Sequence, residues 1–295
     1  MITFSEAAEA YRRRLHMDGR LSLDTERRIA TLESHWGTEP VVGLTAKRIQ
    51  EYFFHKYRGR KPSTINRNIN VMSAIMGVAE EEGLVLVKPR VKRRKVHDTR
   101  TSHLELDEIM PVIEWVGENE GALAGFALLL LVDTGMRFGE ALRFAWGDLR
   151  EDWITVRPHK GKTQERKIPT SPRLLEYMTR YSVLPTTEDK HSTRIILSRW
   201  NMPPMAIGKD LNRLLRKAAK DRGVRCADDI RIHDLRHTFA FLCASAGADI
   251  GDIKELMGHA NIVMTMRYRG FVQTRAADVI RRGMAVQGEK HATSS

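Results

Sequence analysis

Cysteine is scarce in this sequence: Cys226 and Cys243 are the only two among 295 residues. That number and spacing supply neither a disulfide framework nor a zinc ribbon, so both read as small, reduced, core-lining side chains. Long apolar runs are missing too. The most apolar uncharged stretch, "GALAGFALLLLV" from Gly121 to Val132, falls well short of the roughly 20 residues a membrane-spanning helix needs and reads as a buried core helix. The N-terminal "MITFSEAAEA" lacks a basic region followed by an apolar stretch and a cleavage site, so no secretion signal is read and a cytoplasmic location is expected. Acidic residues are outnumbered: 37 Asp and Glu face 49 Lys and Arg, a formal net charge of +12. Such an excess makes a polyanion the first partner to consider, and without a spanning stretch no membrane partner is expected.

Length and pattern give two parts, mainly α-helical with one small β-hairpin. Residues 1–87 read as a bundle of four helices, with segments "SEAAEAYRRRLHMD", "LDTERRIATLESHW", "TAKRIQEYFFHKYR" and "STINRNINVMSAIMGVAEEEG" broken at glycine and proline. Ser22 and Thr45 are the expected caps of the second and third helices, and Ser63 or Thr64 that of the fourth. Arg58, Arg60, Lys61 and Arg67 gather around the start of this fourth helix, where side-chain cations and backbone N–H groups can meet one phosphate.

Residues 88–101, "KPRVKRRKVHDTRT", carry Lys92, Arg93 and Arg94 and read as a basic interdomain linker too charged for a core. The second part, 102–285, opens with an acidic helix start at Glu105, Asp107 and Glu108 and continues through the apolar helix into "DTGMRFGEAL". "WITVRP" and "RKIPT" are strands of a hairpin whose connection holds Lys160 and Lys162, "RIILS" is a further strand candidate, and "FVQTRAADVIRRGMAV" an amphipathic helix. Residues 286–295 are a flexible tail.

Three motifs compete for the chemistry. "GKT" at Gly161–Thr163 resembles the end of a P-loop, but the earlier glycine that motif requires falls on Val156, which excludes it. "HDLRH" sets His233 and His237 one helical turn apart, as zinc ligands are in some hydrolases. Arg236 shares that face, however, and a fixed cation opposes a divalent metal. A module that only binds DNA explains the charge but leaves Tyr268 without a role.

A phosphoryl-transfer site uses all these positions. A DNA phosphodiester is anionic, so its transition state needs fixed cations and donors on the nonbridging oxygens, and arginine supplies them two at a time. Arg137, following a turn into a helix, and Arg236 are the clamp candidates. His233 can accept or relay a proton, and His259, after the break at Gly258, can donate to a phosphate oxygen. Tyr268 is the candidate nucleophile. A phenol is ionised in only about one molecule in a thousand at neutral pH, so it needs a base and nearby cations. A hairpin lysine, Lys160 or Lys162, suits protonation of the leaving 5′-oxygen.

Together "TGMRFGEAL", "HDLRHTFA" and "LMGHANIVMTMRY" resemble the three signature boxes of the tyrosine recombinases, the phage integrase family. The resemblance implies a helical core-binding domain, a basic linker and a catalytic domain. It further implies Arg137 and Arg236 as phosphate clamps, His233 as acid–base partner, His259 as a phosphate contact and Tyr268 as the nucleophile of a 3′-phosphotyrosyl intermediate. Lys160, at the end of the first strand, is taken as the general acid and Lys162 as a DNA contact, although "HKGKTQERKIP" is one residue longer between lysine and proline than the family's usual hairpin. By the same resemblance no metal, ATP or other cofactor is expected. The expected partners are double-stranded recombination sites, a homotetramer on DNA with the C-terminal helix lodged in a neighbour, and an accessory directionality factor. The expected setting is the nucleoid. Integration or excision of a mobile element is the first reading, dimer resolution the second and a type IB topoisomerase the third. An N-terminal arm-binding domain is not expected, since the core-binding helices begin almost at once.

Overall fold

The computed structural model describes residues 2–96, 102–158, 165–183, 194–196, 200 and 202–269. The chain divides into two compact units, Met1–Thr99 and Arg100–Ser295, each with its own apolar core.

In the first unit the four expected helices form: α1 (Phe4–Met17), α2 (Leu23–Trp36), α3 (Ala46–Lys56) and α4 (Pro62–Glu81). Thr3 and Glu6 cap α1 reciprocally, while Ser22 and Thr45 accept from the backbone N–H groups of Thr25 and Arg48 as their sequence positions predict. Helix α4 differs. It starts two residues earlier than a Ser63 cap requires and three earlier than a Thr64 cap, with Lys61 at the cap position and Pro62 in the first turn. Proline has no N–H to satisfy there and its fixed φ already suits the helix, so a side-chain cap is dispensable. The buried stripe of α4, including Ile65, Ile69, Met72, Ile75 and Met76, packs with Phe4, Ile29, Leu32 and Phe53. Arg12 of α1 reaches Glu26 and Glu33 of α2 across the helix pair.

Residues 88–96 of the basic segment run along this unit. Gln50 of α3 exchanges two hydrogen bonds with the backbone of Lys92, at 3.1 and 3.4 Å, and Asn66 of α4 does the same with Arg94, both at 2.8 Å. Each side-chain amide thus pairs with one residue's N–H and C=O as a neighbouring strand would. Val91 packs against the core, so one apolar residue among the cations does what the charge count alone argued against.

The second unit is built around α6 (Ala122–Thr134), whose residues 124–134 are all buried, beside α5 (Leu106–Glu120). Glu108 folds back to accept from the backbone N–H of Glu105 and starts α5. At the far end of α6, Asp133 accepts from Ser171 and Arg173, tying α6 to the start of α8 (Pro172–Arg180). Strands β1 (Trp153–Val156) and β2 (Arg166–Pro169) pair antiparallel with Ile154 opposite Ile168. The segment "RIILS" does not extend this sheet: Arg194 makes one isolated bridge to Ala145, and the buried Ile195 and Ile196 are helical. Three helices complete the unit: α9 (Pro204–Asp221), α10 (Ile232–Ala246) and α11 (Ile250–Met257), followed by one-turn 3-10 helices at Ile262–Met264 and Met266–Tyr268. No helix among the described residues is long and apolar enough to cross a membrane. The amphipathic segment after Tyr268 and the tail lie outside the described residues.

Candidate active site

Three arginines converge on the C-terminal end of α11. Arg166 Nε donates to the carbonyl of Leu256 at 2.8 Å, Arg236 Nη2 to that of Met257 at 2.5 Å, and Arg137 Nη2 to that of Gly258 at 3.3 Å. A helix end leaves such carbonyls without internal partners and carries the negative pole of the dipole, so it is a natural seat for cations. Gly258 closes the helix at φ +61°, a left-handed conformation that calls for glycine, and a Cβ there would stand 3.1 Å from Arg166 Nη1.

Two of these arginines are the predicted clamp. Arg137 stands at the N-cap position of the short helix α7 (Phe138–Ala141), and its backbone N–H and guanidinium both donate to Glu140, at 2.8 and 3.1 Å. Arg236, on α10, is 4% exposed and also donates to the carbonyl of Gly135. Gly135 ends α6 at φ +57°, and a Cβ would come within 2.3 Å of the Phe239 ring, which explains the glycine of "DTGMR". Arg166 was missed by sequence reasoning. Its side chain, 8% exposed, lies on β2, donates to Glu140 at 2.9 Å, and has no hydrogen-bond partner for Nη1 among the described residues. As one of 49 basic residues it carries no local signal; only the antiparallel pairing of β2 brings it to α11.

Electrostatics show a site short of negative charge. Burial, then the charges of Arg137 and Arg166, pushes Arg236 down to about 9, so it is still protonated at neutral pH. Burial raises the Glu140 carboxyl, but the hydrogen bond and charge of Arg166, with help from Arg137, more than offset this and leave its pKa lowered. His259 is pushed down to about 4 by burial and then by Arg236, Arg137 and Arg267, so it is neutral at physiological pH. Its Nδ1 lies 2.9 Å from the buried Thr265 hydroxyl. A threonine donating to Nδ1 places the ring proton on Nε2, a donor for an anionic oxygen. His233 sits at the rim with an exposed surface, yet desolvation and then Arg236 lower its pKa. Arg267, exposed in the last 3-10 turn, adds charge felt by both histidines and by the tyrosine.

Tyr268 is 4% exposed and held by its N–H to the Thr265 carbonyl. Burial raises its phenol to about 12 despite Arg267 and Arg236. Its hydroxyl meets Nδ1 of His237, at 2.5 Å, rather than His233. Sequence reasoning considered His237 only as a zinc-ligand candidate; among the described residues no three His, Cys, Asp or Glu side chains are grouped to hold a metal ion. Thus Arg137, His233, Arg236, His259 and Tyr268 are gathered in one site. Lys160 and Lys162 lie outside the described residues.

The predicted DNA contacts have another character. Arg58, Arg60, Lys61 and Arg67 around the start of α4, and Lys92, Arg93 and Arg94 on the amide-held segment, are all exposed. None makes an ion pair with a described carboxylate. They remain available to phosphate.

Comparison with known proteins places this geometry. Residues 81–273 match the model of the phage integrase family. The chain is 28% identical over 231 residues to the tyrosine recombinase XerA of Pyrococcus horikoshii, covering 77% of this chain and 78% of that protein. It is 26% identical over 272 residues to the integrase of Mycobacterium phage FRAT1, covering 85% of this chain and 78% of the phage protein. The fold is that of the Tn1549 transposon integrase in complex with a circular intermediate DNA, with a TM-score of 0.72 at 20% identity over 91% of this chain and 95% of that one. A lambda integrase tetramer bound to a Holliday junction gives a TM-score of 0.64 at 18% identity over 88% and 78% of the two chains. The matched residues take in the three arginines, the histidines and the tyrosine of the site, and the chain belongs to the phage integrase family.

Proposed function

We propose that this protein is a site-specific DNA recombinase that cleaves and rejoins strands through a 3′-phosphotyrosyl intermediate on Tyr268. The observation that carries this reading is a buried tyrosine beside a cluster of arginines with too little negative charge to balance it, the surroundings that stabilise a phosphodiester under attack. Arg137 and Arg236 clamp the nonbridging oxygens, held in advance by carbonyls and Glu140 so that little reorganisation accompanies the reaction. His259 donates to the same phosphate and His233 exchanges protons at the rim. Tyr268 attacks phosphorus, the 5′-oxygen leaves with a proton from Lys160 or Lys162, and a different 5′-hydroxyl reverses the step. The phosphotyrosyl bond retains the reactivity of the phosphodiester, so rejoining needs no external energy source.

The exposed cations of the first unit and of the amide-held segment bind the DNA backbone, and the active assembly is a tetramer on two duplexes. Residues 1–87 form the core-binding domain, 88–101 the connection and 102–285 the catalytic domain. Integration or excision of a mobile element is the preferred programme, supported by likeness to a phage integrase across 85% of the chain; likeness to XerA supports dimer resolution as the second reading.

The test is covalent capture. Sheared genomic DNA is incubated with the protein and denatured, and protein-linked fragments are sequenced after protease release. Wild type is expected to yield 3′-linked fragments focused on one target, and Tyr268→Phe none. Equal recovery from both proteins, or none from a wild type that binds a defined site, would overturn the assignment.

A further inference from the structure

The phenol of Tyr268 must lose its proton when the oxygen attacks phosphorus, and the group that receives it has to touch that oxygen. Among the described residues the hydroxyl's hydrogen-bond partner is Nδ1 of His237. We propose that His237 is a catalytic residue, the base that accepts the Tyr268 proton during strand cleavage and returns it during rejoining. This rests on the recombinase reading above and assigns a step within it.

The geometry is built by two elements. His233 and His237 lie at i and i+4 on α10, their rings 5.4 Å apart and near perpendicular, so they share a helix face but not a task. His233 stands at the exposed rim, whereas His237 is half-buried with its ring 6.1 Å from that of the tyrosine. The last 3-10 turn brings Tyr268 down onto α10, with its main chain fixed through Thr265. A protonated phenol is the donor in this pair and the imidazole nitrogen the acceptor, which is the arrangement that precedes transfer. Arg236 and Arg267 supply the surrounding charge, with His233 and His259 as neutral neighbours. A proton arriving on His237 would meet these cations, but the bound phosphate brings the negative charge that offsets them.

The step balances. A bond forms between Tyr268 Oη and phosphorus as the P–O5′ bond breaks; the phenol proton moves to His237 Nδ1, and the 5′-oxygen takes a separate proton from the hairpin lysine. No oxidant, reductant or further reactant enters.

The two protons can be told apart. Nicked suicide duplexes carrying the captured target would be made with an ordinary 5′-oxygen and with a 5′-bridging sulfur, a leaving group that needs no proton. Single-turnover adduct formation would be measured with all DNA bound, for wild type, His237→Ala and His237→Gln, after thermal melting shows each variant folded. Both variants are expected to slow by about 10²-fold or more on both substrates, within the range general bases contribute, since glutamine can hold the hydrogen bond but cannot take the proton. Wild-type rates in either variant would overturn the proposal, as would a defect that disappears with the sulfur leaving group, which would put His237 on the other proton. A wild type that forms no adduct would instead sink the recombinase reading itself.

Discussion

The two units use the same residue, arginine, in opposite ways. In the first, Arg58, Arg60 and Arg67 lie exposed at the start of α4, and the neighbouring basic segment is held through its backbone by neutral amides, leaving its charged side chains to solvent. In the second, Arg236 is buried and the Arg166 side chain nearly so, and both spend their donors on carbonyls and a carboxylate. An exposed cation exchanges counterions with DNA and contributes affinity that salt erodes. A buried, prearranged one contributes less to ground-state binding and more to a transition state whose charge it is already aimed at. On the proposed function, the comparison teaches that this chain separates holding DNA from reacting with it.

The sharpest way to break that separation is Arg236→Lys. An ammonium cannot serve the carbonyls of Gly135 and Met257 and still present a fork to phosphate. Single-turnover cleavage is expected to fall by about 10²- to 10³-fold, the cost of removing one aimed donor, while the dissociation constant for target DNA changes by less than about 10-fold. A loss confined to binding would collapse the distinction.

Acid probes the buried side next. Unfolded, His259 would take a proton near its ordinary 6.5, but folded it does so only near 4. Between those values the unfolded chain binds more protons, so stability falls as pH drops from about 6.5 towards 4, by up to about 3 kcal/mol from this residue; the lowered pKa of His233 acts in the same direction. Chemical denaturation across that range checks it. Added phosphate should recover part of the loss, because an anion in the site favours the protonated rings.

The smallest effects belong to the exposed side. Arg60→Ala should weaken target binding about 3- to 10-fold and reduce the salt dependence by roughly one counterion, with bound complexes cleaving at the wild-type rate. Removing both amides, Gln50→Ala with Asn66→Ala, leaves every cation in place and frees the segment that carries Lys92, Arg93 and Arg94. A two- to five-fold loss of affinity is expected in fluorescence anisotropy, from the added cost of ordering that segment on DNA; no loss would mean that its backbone pairing is irrelevant to binding.

What the sequence disclosed follows from the range of the forces involved. Local signals were legible: helix α2 runs from Leu23 to Trp36 as its periodicity and Ser22 predict, and Arg137, Arg236, His259 and Tyr268 meet as their motifs imply. Contacts made at long range were not. Arg166 lies 90 residues from the Leu256 carbonyl it binds, and Asn66 lies 28 residues from Arg94. His237 was visible, but periodicity reports which residues share a face and says nothing of what descends onto it. The cap of α4 failed for a smaller reason: Pro62 supplies the dihedral angle that a serine cap would otherwise help to select.

The end of α11 has a consequence for how this chain can change over time. Leu256, Met257 and Gly258 each offer a main-chain oxygen to a different arginine, and every residue has such an oxygen. Side chains at 256 and 257 can therefore drift as far as core packing allows without releasing Arg166 or Arg236. Length cannot drift. Inserting or deleting one residue here would hand each arginine its neighbour's carbonyl and rotate His259 and Tyr268 away together, so this short stretch should tolerate substitution far better than any change in its count.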